Sequence, residues 1–290
     1  MRQNLLSFLS AVLLIAGLPV VAEAVNYPVE AQYELRSVRH SLQTKTSKTD
    51  VRVEIDLPDG SSLLARTILK DIKDYLAVGQ MNGKRQPLAV SDKSNLVAEA
   101  VKQNSAYLQK SFDELTQGAT TEEAKEMQEY YANVQYVRHI GATKIVDTPQ
   151  YVTYKYETYM YEGGAHGMTF RSVTTYLKPN GKKLGNIVDK TKLRQLQKLL
   201  ANGLSRYFKK SGYPDMTPAK VRKELFFTKG IIPLPSGKPY LVKRGVAFVY
   251  QQYEIGPYAI GMPTFVIPYK NIYPYLTPEG KKIVTPFLQK

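Results

Sequence analysis

The chain gathers its chemically capable side chains in two segments interrupted by glycine. The first, Tyr159-Met160-Tyr161-Glu162-Gly163-Gly164-Ala165-His166-Gly167, puts an imidazole at the apex of a tight turn. Its glycines allow positive φ and close backbone approach, which is what an irregular turn between two extended runs requires. The second segment carries Glu254 just before Gly256-Pro257 and Tyr258 just after. If the two turns are neighbours, His166 and Glu254 form an acid/imidazole pair with general-base chemistry. The same residues also read as a contact surface, with Tyr161 and Tyr258 supplying amphipathic area, or His166 serves only to fasten its turn by a hydrogen bond. The candidate ligand-binding residues are therefore Tyr161, Gly163, Gly164, His166, Glu254 and Tyr258. No residue is assigned a catalytic role.

Other reactive arrangements are missing from the sequence. With no cysteine there is no thiolate nucleophile, no thiolate metal ligand, no disulfide and no site for a lipid anchor. The three histidines, His40, His139 and His166, lie far apart and match no zinc-binding spacing, so neither a metal nor a cofactor is expected. There is no serine-nucleophile elbow, and Gly79 to Gly83 lacks the lysine and hydroxyl placement of a phosphate loop. The 22 tyrosines, unaccompanied by tryptophan, offer stacking faces for sugars, although their alternation within strands favours packing between sheets.

The elements that position these turns follow from hydrophobic period. Val51, Val53, Ile55 and Leu57 alternate with polar residues as a half-buried strand, closed by Pro58-Asp59-Gly60. Ser61 or Ser62 caps a helix whose Leu64, Ile68, Ile72 and Tyr75 or Leu76 share one face, with Gly79 and Gly83 beyond its end. A second helix carries the stripe Val97, Val101, Leu108, Phe112 and Leu115, and a charged third runs over 122–131. Two extended runs, ending near Ile145 and Glu162 and separated by Asp147-Thr148-Pro149, read as a hairpin, and Thr169 to Leu177 adds a strand beside it. Leu193 to Phe208 has helical spacing. Val246, Phe248 and Tyr250, then Thr264 to Ile267, mark short strands around the Gly256-Pro257 turn, and Tyr269 to Leu276 reads as coil. Blocks of helices and strands without strict alternation indicate an α+β fold: a mainly antiparallel sheet packed with several helices, in two intimately associated subdomains.

The N-terminus reads as an address. Arg2, the apolar run Leu5 to Leu18 and the small residues of Ala22-Glu23-Ala24 form a signal peptide over residues 1–24, so the mature chain is expected to start at Val25, exported to the periplasm or beyond. No later run is long and apolar enough to suggest a membrane span. Forty basic against 25 acidic residues give a net charge of +15, which loss of Arg2 and Glu23 leaves unchanged. Such a protein favours anionic envelope partners such as lipid head groups or cell-wall polymers, and export removes nucleic acid from reach.

The glycine-histidine turn, together with Asn180-Gly181-Lys182-Lys183-Leu184, Tyr253-Glu254-Ile255-Gly256-Pro257-Tyr258-Ala259-Ile260-Gly261 and Val266-Ile267-Pro268-Tyr269, resembles the extracytoplasmic C-terminal domain family of unknown function found in RsiV-type anti-sigma factors. The likeness spans roughly residues 130–276, and the region from Tyr33 to Leu115 is loosely similar to the domain that precedes it in PdaC-type deacetylases. The resemblance implies an α+β fold, with residues 25–162 as the N-terminal PdaC-like part and 163–290 as the RsiV-like part. It implies no settled catalytic activity. Only Met1 to Asn4 precede the apolar run, which leaves no room for a sigma-binding segment, and no polysaccharide-deacetylase domain is present in this sequence. Lysozyme binding, which the resemblance to RsiV-type proteins implies as one reading, is disfavoured because a +15 receptor repels a strongly basic enzyme. The expectation is a binding module for a cell-envelope glycan or protein, with an envelope hydrolase using His166 and Glu254 as the alternative.

Overall fold

The computed structural model describes residues 35–288 apart from 80–84, 87, 89–94 and 118–119, so the expected leader, its cleavage point and Gly83 lie outside the described residues. In chain order the elements are β1 (Ser37–Lys45), β2 (Thr49–Pro58), α1 (Leu63–Leu76), the short pair β3 (Val78–Gly79) and β4 (Arg85–Gln86), α2 (Leu96–Leu115), α3 (Glu122–Ala132), β5 (Tyr136–Asp147), β6 (Tyr151–Tyr161) and β7 (Met168–Leu177). There follow α4 (Leu193–Lys210), α5 (Pro218–Glu224), β8 (Tyr240–Val242), β9 (Gly245–Val249), β10 (Thr264–Pro268), α6 (Tyr269–Ile272) and α7 (Pro278–Val284). The fold is α+β, as expected. The segment read as coil after Tyr269 instead forms α6 and a further 3-10 turn over Tyr273–Tyr275, because Tyr269 and Ile272 bury one side of a single helical turn.

A five-stranded sheet of order β1-β2-β5-β6-β7 forms the frame. Its neighbours are antiparallel except β2 and β5, which run parallel. Parallel neighbours cannot be joined by a tight turn, and the crossover between them carries α1, α2 and α3. The Ser62 hydroxyl caps α1 by accepting the Ala65 amide at 3.1 Å, confirming one of the two expected caps. Val51, Val53 and Ile55 of β2, Ile140 and Ala142 of β5, and Tyr154 and Tyr156 of β6 face Leu64, Ile68 and Ile72 of α1 and Val97, Val101 and Leu108 of α2. Side chains alternate across a strand, so the residues between them must point from the opposite face. That face is not covered by these helices.

A second core gathers α4, α5, α6, α7 and the three-stranded sheet β10-β9-β8. The far end of the β5-β6 hairpin enters it through Val146 and Tyr151. A register shift between Lys144 and Val146 makes this possible, since one extra residue in β5 turns Val146 toward a different neighbour than regular alternation would give. The hydroxyls of Tyr151 and Tyr269 lie 2.9 Å apart and reach the Val242 carbonyl at 3.0 and 2.6 Å. Thr153 adds a hydrogen bond to the Leu241 carbonyl at 3.3 Å. The two cores are thus pinned through buried phenols. Among the described residues no helix is long and apolar enough to cross a membrane.

These tyrosines set the alkaline limit of the fold. Burial pushes the Tyr151 phenol up to about 12, against the opposing hydrogen bond with Tyr269, and burial likewise raises Tyr154, Tyr156, Tyr176, Tyr250 and Tyr269. A phenol whose folded pKa exceeds its unfolded value favours the folded state fully below the unfolded pKa of about 10, and that contribution is lost as pH rises through the folded value. The melting temperature is therefore expected to hold between pH 8 and about 10 and then fall steeply, with tyrosinate absorbance appearing together with unfolding. A titration in which these phenols ionise while the fold persists contradicts their burial.

Candidate functional site

The first turn leaves β6 at Tyr161 and returns in β7 at Met168. Gly163 and Gly164 have φ of 91° and 92°, a region open to glycine and strained for other residues. Gly163 also lies against the Tyr131 ring, where a Cβ would come within 2.5 Å. Gly167 has no positive φ and is required for a different reason: a Cβ there would overlap the ring of Tyr159. The Gly164 carbonyl accepts hydrogen bonds from Tyr161 at 3.0 Å and from Tyr130 of α3 at 3.5 Å.

The second turn follows β9 and docks on the outer edge of β7. The side-chain amide of Gln251 accepts from the Arg171 N–H at 3.1 Å and donates to the Arg171 carbonyl at 2.9 Å. Gln252 accepts the Thr169 N–H at 2.7 Å. Two glutamines thereby take the place of a sixth strand. They bring Tyr253 and Tyr258 to the first turn, where Tyr258 stacks on His166 at a centroid distance of 3.5 Å and an interplanar angle of 12°. The Tyr258 hydroxyl donates to the Gly167 carbonyl at 2.9 Å. His166 Nε2 meets the Tyr253 hydroxyl at 2.8 Å, and Nδ1 lies 3.3 Å from the Gly167 carbonyl. A carbonyl only accepts, so this network assigns the proton of a neutral ring to Nδ1 and leaves Nε2 to accept from the phenol.

Of the residues expected at the site, His166, Tyr258, Tyr161, Gly163 and Gly164 come together. The acid/imidazole pair does not form. Glu254 Oε1 accepts the Ser236 amide at 2.5 Å and Oε2 accepts the Gln251 amide at 2.6 Å, so the carboxylate closes its own loop, and the imidazole has a tyrosine as partner. Tyr253 was not among the expected site residues. It has φ of 64° and a half-exposed ring, a strained backbone holding an aromatic at the surface.

A groove of about 500 Å³ runs from this junction over the face of the five-stranded sheet that the helices leave open. Two cross-strand rows line it. Arg52, His139, Tyr159 and Thr169 stand opposite one another in register on β2, β5, β6 and β7, and the next row is Glu54, Gly141, Glu157 and Arg171. Gln252 and Met262 form the wall toward the second core. Glu157 is held by Lys155 at 3.0 Å and by Arg171. Burial raises its carboxyl, but the Lys155 hydrogen bond and the Arg171 charge outweigh it and keep the group below the usual carboxylate value. Glu54 pairs with Arg52 at 2.7 Å. His139 Nε2 lies 3.5 Å from Asp50 Oδ1, and Asp50 also accepts from Gln43 at 2.7 Å. In the sequence His139 stands out only as a metal-ligand candidate without a matching spacing; the polar residues at alternate positions of β5 and β6 are the signal that marks this face. Among the described residues, no group of three or more His, Asp or Glu is placed to hold a metal ion.

The same two-part architecture is seen in known proteins. Residues 24–169, just over half of the chain, match the family model described as Deacetylase PdaC, and residues 186–270 match the one described as Protein of unknown function (DUF3298). The chain belongs to the family of proteins with a PdaC-type domain, here followed by a DUF3298 domain. A DUF3298-family crystal structure from Bacteroides fragilis superposes with a TM-score of 0.58 at 18% identity, covering 90% of this chain and 99% of that one. A second, from Pseudomonas aeruginosa PAO1, gives 0.53 at 16% identity over 86% and 97% of the two chains. These likenesses extend the fold over nearly the whole molecule. No curated protein matches the chain.

Gly164 tests the first turn without touching its packing, because no atom lies within 4 Å of a Cβ built there. Gly164→Val is expected to destabilise by about 1–3 kcal/mol through backbone strain alone, read as a lowered Tm. An unchanged Tm contradicts the positive φ.

Proposed function

We propose that the protein acts outside the cytoplasm as a binding module for a cell-envelope ligand. Its contact surface is the junction of the two turns: Tyr161, Gly163, Gly164, His166 and Tyr258, joined by Tyr253, with Glu254 securing the second loop from behind. The observation that carries this reading is Tyr253. Its backbone sits at φ 64° while half of its ring stays in solvent, so the fold accepts strain without recovering it by burial. An exposed aromatic held rigidly by a histidine hydrogen bond is a suitable anchor for a ligand, since little side-chain entropy remains to be lost on binding. Residues 1–24 with their signal-peptide pattern support an extracytoplasmic place, where envelope polymers are the partners within reach. A hydrolase built on His166 and Glu254 lacks its geometry, because both carboxylate oxygens are engaged by backbone amides.

The test is co-sedimentation of the exported chain with purified cell-envelope fragments. The wild type is expected to pellet with them, and Tyr253→Ala to lose about tenfold in affinity, the equivalent of roughly 1.4 kcal/mol. Wild-type protein that stays in the supernatant refutes the proposal, as does a Tyr253→Ala variant that binds as well as the parent.

A further inference from the structure

The middle of the open groove contains a glycine that the fold does not require. Gly141 lies in the interior of β5, between Glu54 on β2 and Glu157 on β6. Its φ is not positive. A Cβ built on it meets the Glu54 carbonyl at 3.7 Å, the Glu157 carbonyl at 3.9 Å and Thr143 Oγ1 at 4.0 Å, all ordinary contacts. Neither backbone conformation nor packing excludes a Cβ there, and glycine weakens a strand interior. What its bare backbone does produce is the floor of the groove, flanked by charged and polar side chains.

Those side chains select a ligand chemistry. Arg52, Lys155 and Arg171 bring donors, while Glu54 and Glu157 bring acceptors directly beside them. A polyanion would meet the two carboxylates along with the cations. A peptide adding as a strand needs unpaired main-chain groups, and the interior strands of this sheet have spent theirs on each other. A hydroxyl both donates and accepts, so a run of hydroxyls finds a partner at every step across such alternating groups. Beside the glycine, the rings of Tyr159 and His139 line the groove with centroids 6.2 Å apart, aromatic edges that can meet the apolar face of a sugar ring.

We propose that the open face of the five-stranded sheet binds an uncharged, hydroxyl-rich glycan over Gly141, with Glu54, Glu157 and Arg171 hydrogen-bonding its hydroxyls. The proposal rests on the reading of the chain as a binding module and names the ligand of that module. The hydroxyl-rich chemistry has two sources in an envelope: the N-acetylated backbone of the cell wall, or a secreted neutral polysaccharide.

The test is calorimetric titration of the exported chain with three probes: an N-acetylglucosamine tetramer, a glucose tetramer and dextran sulfate. One of the neutral oligomers is expected to bind. Preference for the first assigns a wall glycan, and equal binding of the two assigns recognition of hydroxyls alone. Gly141→Val, which fills the floor with a residue suited to strands, is expected to weaken that binding at least tenfold while leaving Tm equal or higher. Glu157→Gln, which keeps shape and removes charge, is expected to weaken it at least threefold, so the conclusion does not depend on one variant folding. Neutral oligomers that fail to bind, or that bind Gly141→Val as well as wild type, overturn the proposal; so does binding restricted to dextran sulfate and abolished by salt. Envelope co-sedimentation that persists in the absence of oligosaccharide binding defeats the groove alone, and loss of both defeats the binding-module reading as well.

Discussion

Three hydrogen bonds from Gln251 and Gln252 to the edge of β7 hold the candidate site together. An edge strand exposes N–H and C=O groups that must find partners, and here two side-chain amides satisfy them in place of another strand. Each bond contributes a net of only about 0.5–1.5 kcal/mol. Their larger effect is geometric, because they place the loop at one register on β7. Tyr253 then falls beside His166, Tyr258 stacks on the imidazole, and Gln252 walls the groove. Without that register the two turns belong to separate sheets and have no reason to meet.

The second constraint is the period of the strands. Each has one face to give to α1 and α2, and the alternate residues must go elsewhere. In the two rows that line the groove these residues are charged, polar, aromatic or glycine, and the charged ones are compensated by neighbours: Glu157 by Lys155 and Arg171, Glu54 by Arg52, His139 by Asp50. Mutual pairing makes such a face stable in water without a covering element. It also presents fixed donors and acceptors at intervals set by the sheet, an arrangement already organised before any ligand arrives.

Much of this architecture was legible in the sequence where burial is one-sided. β2, α1, α2 and α4 each left a clear hydrophobic period, and the β5-β6 hairpin and β7 were legible from tyrosine-rich, β-branched runs bounded by turn residues. β1 is exposed along most of its length and has no apolar alternation to read, and β8, at three residues, is too short for any period. The parallel pairing of β2 with β5 depends on contacts across three helices, which no local pattern records. At the site, the two glycine turns were legible because glycine has few other uses at such density. Their adjacency through Gln251 was not, since a side chain imitating a strand leaves no periodic trace. Glu254 shows the limit most clearly: a carboxylate that closes a loop on two amides and one that serves an imidazole are identical as letters.

The open sheet face and the two-turn junction are proposed to form one recognition surface. The direct measurement is amide chemical-shift mapping of the isotope-labelled exported chain during titration with a neutral oligosaccharide. The shifted resonances are expected to trace a continuous path from Gly141 and Glu157 through Thr169 to Tyr253, while the helical face of α1 and α2 stays unmoved. Shifts that gather on the helical face or around α7, with Gly141 and Tyr253 unaffected, contradict it.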